Sequence, residues 1–213
     1  MPNSKNFFPI QFITLDCKIP EEIQVSHACN AGIRWIQLRK KNCHPQNYLV
    51  SAERIKIICD QYNATLVIND LPDIAVASKA HGVHLGKNDA APSSVRKTYT
   101  KDLLIGASAN TFERIQEVYS YVDYIGIGPF RHTSTKSNLD PILGIEGIRK
   151  IVEKCKQYGI TIPLIAIGGI TTIDVLPLKD CGVDGIAVSS AIACSTNIEK
   201  TAKEFLSLWK QKI

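Results

Sequence analysis

Short runs of apolar residues recur along the chain, and each is followed by a longer segment carrying a helical stripe. The strand candidates are Ile10–Leu15, Trp35–Leu38, Thr65–Ile68, Gly82–Leu85, Leu103–Ala107, Tyr124–Gly128, Leu164–Ile167 and Gly185–Val188. They are brief, apolar on both faces and bounded by Gly, Asn, Asp or Pro, which is the pattern of parallel strands covered on both sides. The segments Pro45–Tyr62 and Ile145–Tyr158 place apolar residues at three- and four-residue spacing. That spacing turns Ile55, Ile58 and Cys59 on the first, and Ile148, Ile151, Val152 and Cys155 on the second, toward a sheet.

Eight strands each followed by a helix can close into a barrel or spread into a doubly wound sheet. Two features favour the α/β class in its (β/α)8 TIM-barrel form. The repeating unit is about 25 residues long, as in a small barrel. Polar and Gly residues gather after nearly every strand, whereas an open sheet concentrates its ligand groups at one switch point. No Gly/Ser-rich linker breaks the alternation, so residues 1–213 read as one domain.

Composition narrows the function classes. Apolar residues make up 45% of the 213, and 25 Lys and Arg against 20 Asp and Glu give a formal charge of +5. This mild excess speaks against a nucleic-acid partner, and the one basic cluster, Arg39-Lys40-Lys41, suits small phosphorylated ligands better. Seven Cys, with no C-x-x-C pair, indicate neither a disulfide framework nor a zinc site. Reduced thiols in a cytoplasmic protein are the expectation. The start MPNSKNFFPI lacks the apolar stretch of a secretory signal, and no run reaches the length of a membrane span, so no membrane partner is expected.

In a barrel of this kind the loops after the strands form one mouth, where active sites lie. The second strand ends in Gln37-Leu38-Arg39-Lys40-Lys41, the third in Asn69-Asp70, and the fourth in His84-Leu85-Gly86-Lys87-Asn88-Asp89. The fifth gives Ser108-Ala109-Asn110, and the sixth runs from Gly128-Pro129 through Phe130-Arg131-His132 to Thr133-Ser134-Thr135-Lys136. The last two end in Gly168-Gly169 and Ser189-Ser190. Asp70 and Asp89 stand at successive strand ends, near enough to hold one hard cation. Mg2+ takes one or two protein carboxylates and fills its shell with water and substrate phosphate. Alternatively, each Asp caps the helix after its strand. The Gly pair and the Ser pair form a second anion site, because glycines let a phosphate approach backbone N–H groups and hydroxyls add donors. Thr171-Thr172-Ile173-Asp174 after it can be a helix cap and nothing more. Two phosphate sites on one rim imply two phosphorylated substrates. Pro129–Leu143, the longest irregular stretch expected, has the polar make-up of an active-site loop.

Taken together, these runs resemble thiamine-phosphate synthases in order and spacing from the second strand to the eighth, with Ile165-Ala166-Ile167-Gly168-Gly169-Ile170 completing the set. The Gly-Pro-Phe-Arg sixth loop with Leu143-Gly144-Ile145-Glu146-Gly147 resembles the variant found in flavobacteria and their relatives. The resemblance implies a Mg2+-assisted transferase. Its substrates would be hydroxymethylpyrimidine diphosphate and the thiazole phosphate or its carboxylated form, joined to give thiamine phosphate and diphosphate. Arg39, Lys41, Asn69 and Lys136 would bind the diphosphate, with Gln37 and Ser108 near the pyrimidine. Arg39, Lys41, Ser108 and Lys136 would form the catalytic set, while Leu38 and Lys40 join the substrate-binding run. Asp70 and Asp89 would hold Mg2+. Thr133, Ser134 and Thr135 would contact the thiazole phosphate, its phosphate resting on Gly169, Ser189 and Ser190. The family reaction is dissociative: diphosphate leaves, the aminopyrimidine stabilises the methylene cation, and the thiazole nitrogen captures it.

The chain departs from the family pattern at Lys87, Asn110, Arg131 and His132. Other readings are a thiazole tautomerase, a non-catalytic sensor of thiamine precursors, and a sugar-phosphate isomerase. The tautomerase position for a catalytic His holds Pro129 here, and neither it nor the isomerase would need both Asp and the diphosphate cations. His132 reads as a polar loop residue, His84 as a hydrogen-bonded core histidine and His81 as solvated. A homo-oligomer is compatible with the sequence, although no helix face marks a dimer patch.

Overall fold

The computed structural model describes residues 8–99, 102–133 and 141–211. Eight parallel strands close into a barrel in sequence order: β1 (Ile10–Ile13), β2 (Trp35–Leu38), β3 (Thr65–Asn69), β4 (Gly82–Leu85), β5 (Leu104–Ala109), β6 (Tyr124–Ile127), β7 (Leu164–Ile167) and β8 (Gly185–Val188). Each strand pairs with its sequence neighbour, and β1 closes on β8 with Ile10 opposite Ile186. Around them lie α1 (Glu21–Ala31), α2 (Pro45–Gln61), α3 (Pro72–Ala77), α4 (Pro92–Thr98), α5 (Phe112–Val118), α6 (Gly144–Gln157), α7 (Val175–Asp180), α8 (Ser190–Ala193) and α9 (Ile198–Lys210). The fold is the expected (β/α)8 barrel, with strand bounds within two residues of the sequence reading.

Strand side chains alternate between two environments. One set, including Ile36, Leu38, Leu66, Ile68, Ile105 and Ile186, points outward and packs under the helices with Ile55 and Cys59 of α2 and Ile148, Val152 and Cys155 of α6. The other set points into the barrel, where Ile13, Trp35, Val67, Tyr124, Ile165 and Ala187 form a separate inner core. Both faces of the strands are therefore covered, which is why they read as mostly apolar runs, broken at Gln11, Gln37 and His84 where the polar side chains point inside the barrel.

The bottom of the barrel repeats one device. The residue before each of β4, β6 and β8 carries a side chain that accepts a hydrogen bond from a neighbouring strand. His81 Nδ1 accepts from Leu66 N (2.9 Å), Asp123 from Ile105 N (2.7 Å) and Asp184 from Leu164 N (2.8 Å). The same three residues donate their own N–H groups to the carbonyls of Leu66, Ile105 and Leu164. Each therefore extends the ladder by one side-chain link where the strand ends. His81, expected to be merely solvated, is exposed yet engaged; burial of its ring, with the nearby Lys56 charge, lowers its pKa.

Candidate active site

A single polar chain crosses the barrel interior above the inner core. Gln37 Nε2 donates to Gln11 Oε1 (3.2 Å), and Gln11 Nε2 donates to the Tyr124 hydroxyl (3.3 Å). That hydroxyl lies 3.0 Å from His84 Nδ1, and His84 Nε2 lies 2.9 Å from Ser108 Oγ. A neutral imidazole has one donor and one acceptor nitrogen, so the relay from Tyr124 to Ser108 fixes the ring between them. Space for it comes from glycine: a Cβ at Gly106 would sit 2.1 Å from Tyr124 Cζ, and one at Gly126 would sit 3.3 Å from His84 Cε1. Tyr124 is edge-on to Trp35 with centroids 4.7 Å apart, and its complete burial drives its phenol pKa upward. The chain forms the floor of the site and holds Gln37 and Ser108 in fixed positions.

Above this floor opens a cavity of about 780 Å³ at the C-terminal ends of the strands. Of the expected site residues, Gln37, Arg39, Lys41, Asn69, Asp70, Asp89, Ser108, Thr133, Gly169, Ser189 and Ser190 line it. Leu38 and Lys40 do not. Leu38 is fully buried in the outer core, and Lys40 turns to Glu21 with 2.6 Å between Nζ and Oε1. Within β2 the two-residue period of extended chain sends Gln37 inward and Leu38 outward. The Leu38 and Lys40 side chains thus pack and ion-pair where the sequence reading had them facing substrate. Ser134, Thr135 and Lys136 lie outside the described residues.

The cationic end is built by several supports. Tyr48 on α2 is buried with its hydroxyl 2.7 Å from Leu38 O and 3.3 Å from Asn69 O, tying the ends of β2 and β3 together. Arg39 N donates to Thr14 Oγ1 (3.0 Å), which steadies the start of the basic run. Burial lowers the Arg39 guanidinium pKa, and the negative charge of Asp70 works against that shift. Asp70 itself has φ 69° while Leu71 N donates to Asn69 O at 2.9 Å. A hydrogen bond spanning two residues about a positive φ is a strained γ-turn, costly for a non-glycine residue. The turn brings the Asp70 carboxylate to the cavity directly beside Asn69. Asp89 Oδ2 accepts from Gly86 N at 2.6 Å, closing the β4 loop on itself, so this carboxylate both shapes its turn and faces the cavity.

The opposite end is made by the last two loops. Gly168 and Gly169 have φ 107° and 65°, a left-handed pair that side chains would strain. Ser189 is the N-cap of α8 and Ser190 its first residue; the Ile192 and Ala193 N–H groups bond Ser189 O, so only the first residues of this short helix can offer donors. Thr171 and Asp174 form a capping box just past Gly169, as the cap reading of Thr171-Thr172-Ile173-Asp174 anticipated. Arg131 does not line the cavity but grips Asp174 with both guanidinium arms, at 2.9 and 2.7 Å. Lys87 and Asn110 line the cavity, as does a rim that the sequence reading missed: Glu113, Arg114 and Glu117 of α5. His84, read as a core histidine, is buried and hydrogen-bonded, and it also borders the cavity.

One cavity thus gathers the cationic and carboxylate side chains that follow β2, β3 and β4 with the glycine and serine pairs that follow β7 and β8. The family model for thiamine monophosphate synthase matches residues 11–192. The chain belongs to the thiamine monophosphate synthase family. A thiamine-phosphate synthase of Flavobacterium johnsoniae is 42% identical over 185 residues, covering 86% of this chain and 87% of its own. One from Bacteroides fragilis is 37% identical over 201 residues, covering 93% and 98%. The solved thiamine phosphate pyrophosphorylase of Pyrococcus furiosus superposes with a TM-score of 0.85 at 30% identity, covering 95% of this chain and 96% of that one. The matched stretch runs from β1 to the Ser189–Ser190 loop after β8.

Proposed function

We propose that the chain is a transferase that condenses hydroxymethylpyrimidine diphosphate with the thiazole phosphate, releasing diphosphate and forming thiamine phosphate. The observation that supports this reading is the lining of one cavity by two sets of groups suited to anions. Arg39, Lys41, Asn69, Asp70 and Asp89 form one set, and Gly169, Ser189 and Ser190 the other. A volume of about 780 Å³ is ample for two small ligands side by side.

The residues suit Mg2+ on the chemistry of the donors. Among the described residues no group of three or more His, Cys, Asp or Glu side chains gathers to hold a metal by protein alone. Two carboxylates beside a phosphate-binding cation pair are what Mg2+ takes when substrate completes its shell. Asp70 and Asp89 would hold it, and when bound it would neutralise charge on the departing diphosphate. Arg39 and Lys41 bind the diphosphate and stabilise the charge it gains as its bond to the methylene carbon breaks. Their contribution is larger in the transition state than in the ground state, which is the condition for catalysis. Ser108, fixed by His84, and Gln37, fixed by Gln11, orient the pyrimidine over the polar floor. Thr133 and the glycine–serine cradle hold the thiazole phosphate so that its nitrogen faces the forming cation, and a common dry pocket removes the entropy of bringing the two together. Ser134, Thr135 and Lys136 keep the roles that the family resemblance gives them. The same resemblance and seven unbridged thiols support a cytoplasmic location, and no described helix is long and apolar enough to cross a membrane.

Calorimetric titration with the pyrimidine diphosphate tests the site assignment directly. Binding is expected to tighten on adding Mg2+ in the unaltered chain, and to lose that dependence in Asp70→Asn and Asp89→Asn. Equal Mg2+ enhancement in all three proteins would remove both carboxylates from the assignment.

A further inference from the structure

Arg131 lies between two parts of the cavity wall without facing the cavity. Its Nη1 donates to Asp174 Oδ2 (2.9 Å) and to Gly169 O (3.1 Å), and its Nη2 donates to Asp174 Oδ1 (2.7 Å). The guanidinium carbon stands 4.8 Å from the Phe130 ring centroid. Asp174 is only 7% exposed at its side chain, and its Oδ2 also accepts from Thr171 N and Thr171 Oγ1, both at 2.8 Å. Burial would raise its carboxyl pKa, but the Arg131 and Thr171 hydrogen bonds outweigh burial and hold it below the usual range. This carboxylate is the hub on which the β6 loop and the β7 loop meet.

The backbone repeats the connection. Phe130 N donates to Ile167 O (2.8 Å) and Arg131 N to Gly168 O (3.0 Å), so the root of the β6 loop runs on as a partner to the end of β7. The contact is closed at the glycine pair. A Cβ on Gly168 would lie 2.9 Å from Pro129 Cα, and one on Gly169 would lie 2.9 Å from His132 O. Two residues beyond Arg131, Thr133 reaches the cavity wall; on the other side Gly169 and Ile170 line the same wall. Peptide planarity then gives the Gly169 carbonyl bond a consequence, because in a trans peptide the C=O and the next N–H point oppositely. Fixing Gly169 O toward Arg131 fixes the Ile170 N–H in the opposite direction.

We propose that Arg131 is a positioning residue: through Asp174 and Gly169 O it sets the backbone cradle for the thiazole phosphate and the root of the loop that delivers Thr133. The inference rests on the synthase reading for the identity of that ligand. A bidentate guanidinium–carboxylate pair suits the task because its planar geometry constrains direction as well as distance. It also accounts for the departure at this position of the sixth loop, where Arg131 acts on the protein and not on substrate.

Steady-state kinetics with each substrate varied in turn tests it. Arg131→Ala is expected to raise the thiazole-phosphate KM by about tenfold, equivalent to about 1.4 kcal/mol, while the pyrimidine-diphosphate KM stays within about twofold. Arg131→Lys, which keeps the charge but loses the fork, should fall between. Asp174→Asn should give a similar KM split, and the double variant should fall clearly short of the product of the two single effects, since the ion pair is shared although Arg131 also holds Gly169 O and Asp174 also holds Thr171. Multiplying effects in the double variant, or equal rises in both KM values, would overturn the proposal. Should the unaltered chain make no thiamine phosphate, the synthase reading falls. Calorimetry with thiazole phosphate then judges the clamp alone: about tenfold weaker binding to Arg131→Ala supports it, and equal binding ends it.

Discussion

Asp70 allows the backbone strain of the site to be separated from its chemistry. Its φ of 69° is held by the Leu71 N–H bond to Asn69 O on one side and by Asp70 N donating to His84 O (2.8 Å) on the other. In the left-handed region a Cβ costs about 1–2 kcal/mol. Glycine escapes that cost but loses about 0.5–1 kcal/mol of chain entropy on folding. At an ordinary site Ala is therefore more stable than Gly; at this one the order inverts, by roughly 0.75 kcal/mol at the midpoints of those ranges. Comparing Asp70→Gly with Asp70→Ala isolates this term, because both lose the same carboxylate and the same attraction to Arg39. For a chain of this size the difference is about 1–4 °C in Tm. Thermal unfolding followed by circular dichroism in EDTA reads it without a contribution from metal binding. Both variants should be equally impaired in Mg2+-dependent turnover, although they differ in stability. An Ala variant as stable as the Gly variant, or more so, would falsify the claim that strain is stored at this turn.

Tyr124→Phe keeps the ring against Trp35 and over Gly106 but removes the hydroxyl shared by Gln11 and His84, so it is expected to cost about 1–3 kcal/mol in urea unfolding. Asp184→Ala, at the bottom of the barrel, removes the acceptor of Leu164 N and should cost about 1–2 kcal/mol while leaving both KM values unchanged, because active sites lie at the other end. His81 makes stability depend on pH in the same direction as a paired carboxylate, but in a higher pH window. Its folded pKa lies below its unfolded value, so the native state binds fewer protons, stability rises with pH through that window, and it is lost on acidification below about pH 6.5. His81→Gln should flatten the stability profile between about pH 7 and 5 in denaturant titrations; an unchanged slope would remove His81 from that role.

The barrel was legible because covering both faces of a strand makes most of its positions apolar, a signal that local sequence carries even where Gln11, Gln37 or His84 interrupts the run. The lining of the cavity was legible as a set of strand ends, yet Leu38 and Lys40 stand beside Gln37, Arg39 and Lys41 without lining it. Applying the two-residue period within β2 separates Leu38 from Gln37, since only alternate residues can face the interior. The floor was less visible. Gln11 and Tyr124 sit in runs that read as strand, and nothing in either run shows that their side chains meet His84 inside the barrel. Arg131 and Asp174 are 43 residues apart and form a pair only because β6 and β7 are neighbours. Such pairings are set by closure of the barrel, which no local pattern encodes.

The central claim is tested most directly by mixing the purified chain with hydroxymethylpyrimidine diphosphate, thiazole phosphate and Mg2+ and measuring thiamine phosphate by thiochrome fluorescence. Product that forms with the complete mixture and disappears with chelator is the expected result. Absence of product, with either substrate still bound, would contradict the synthase reading and return the barrel to a tautomerase or a sensor.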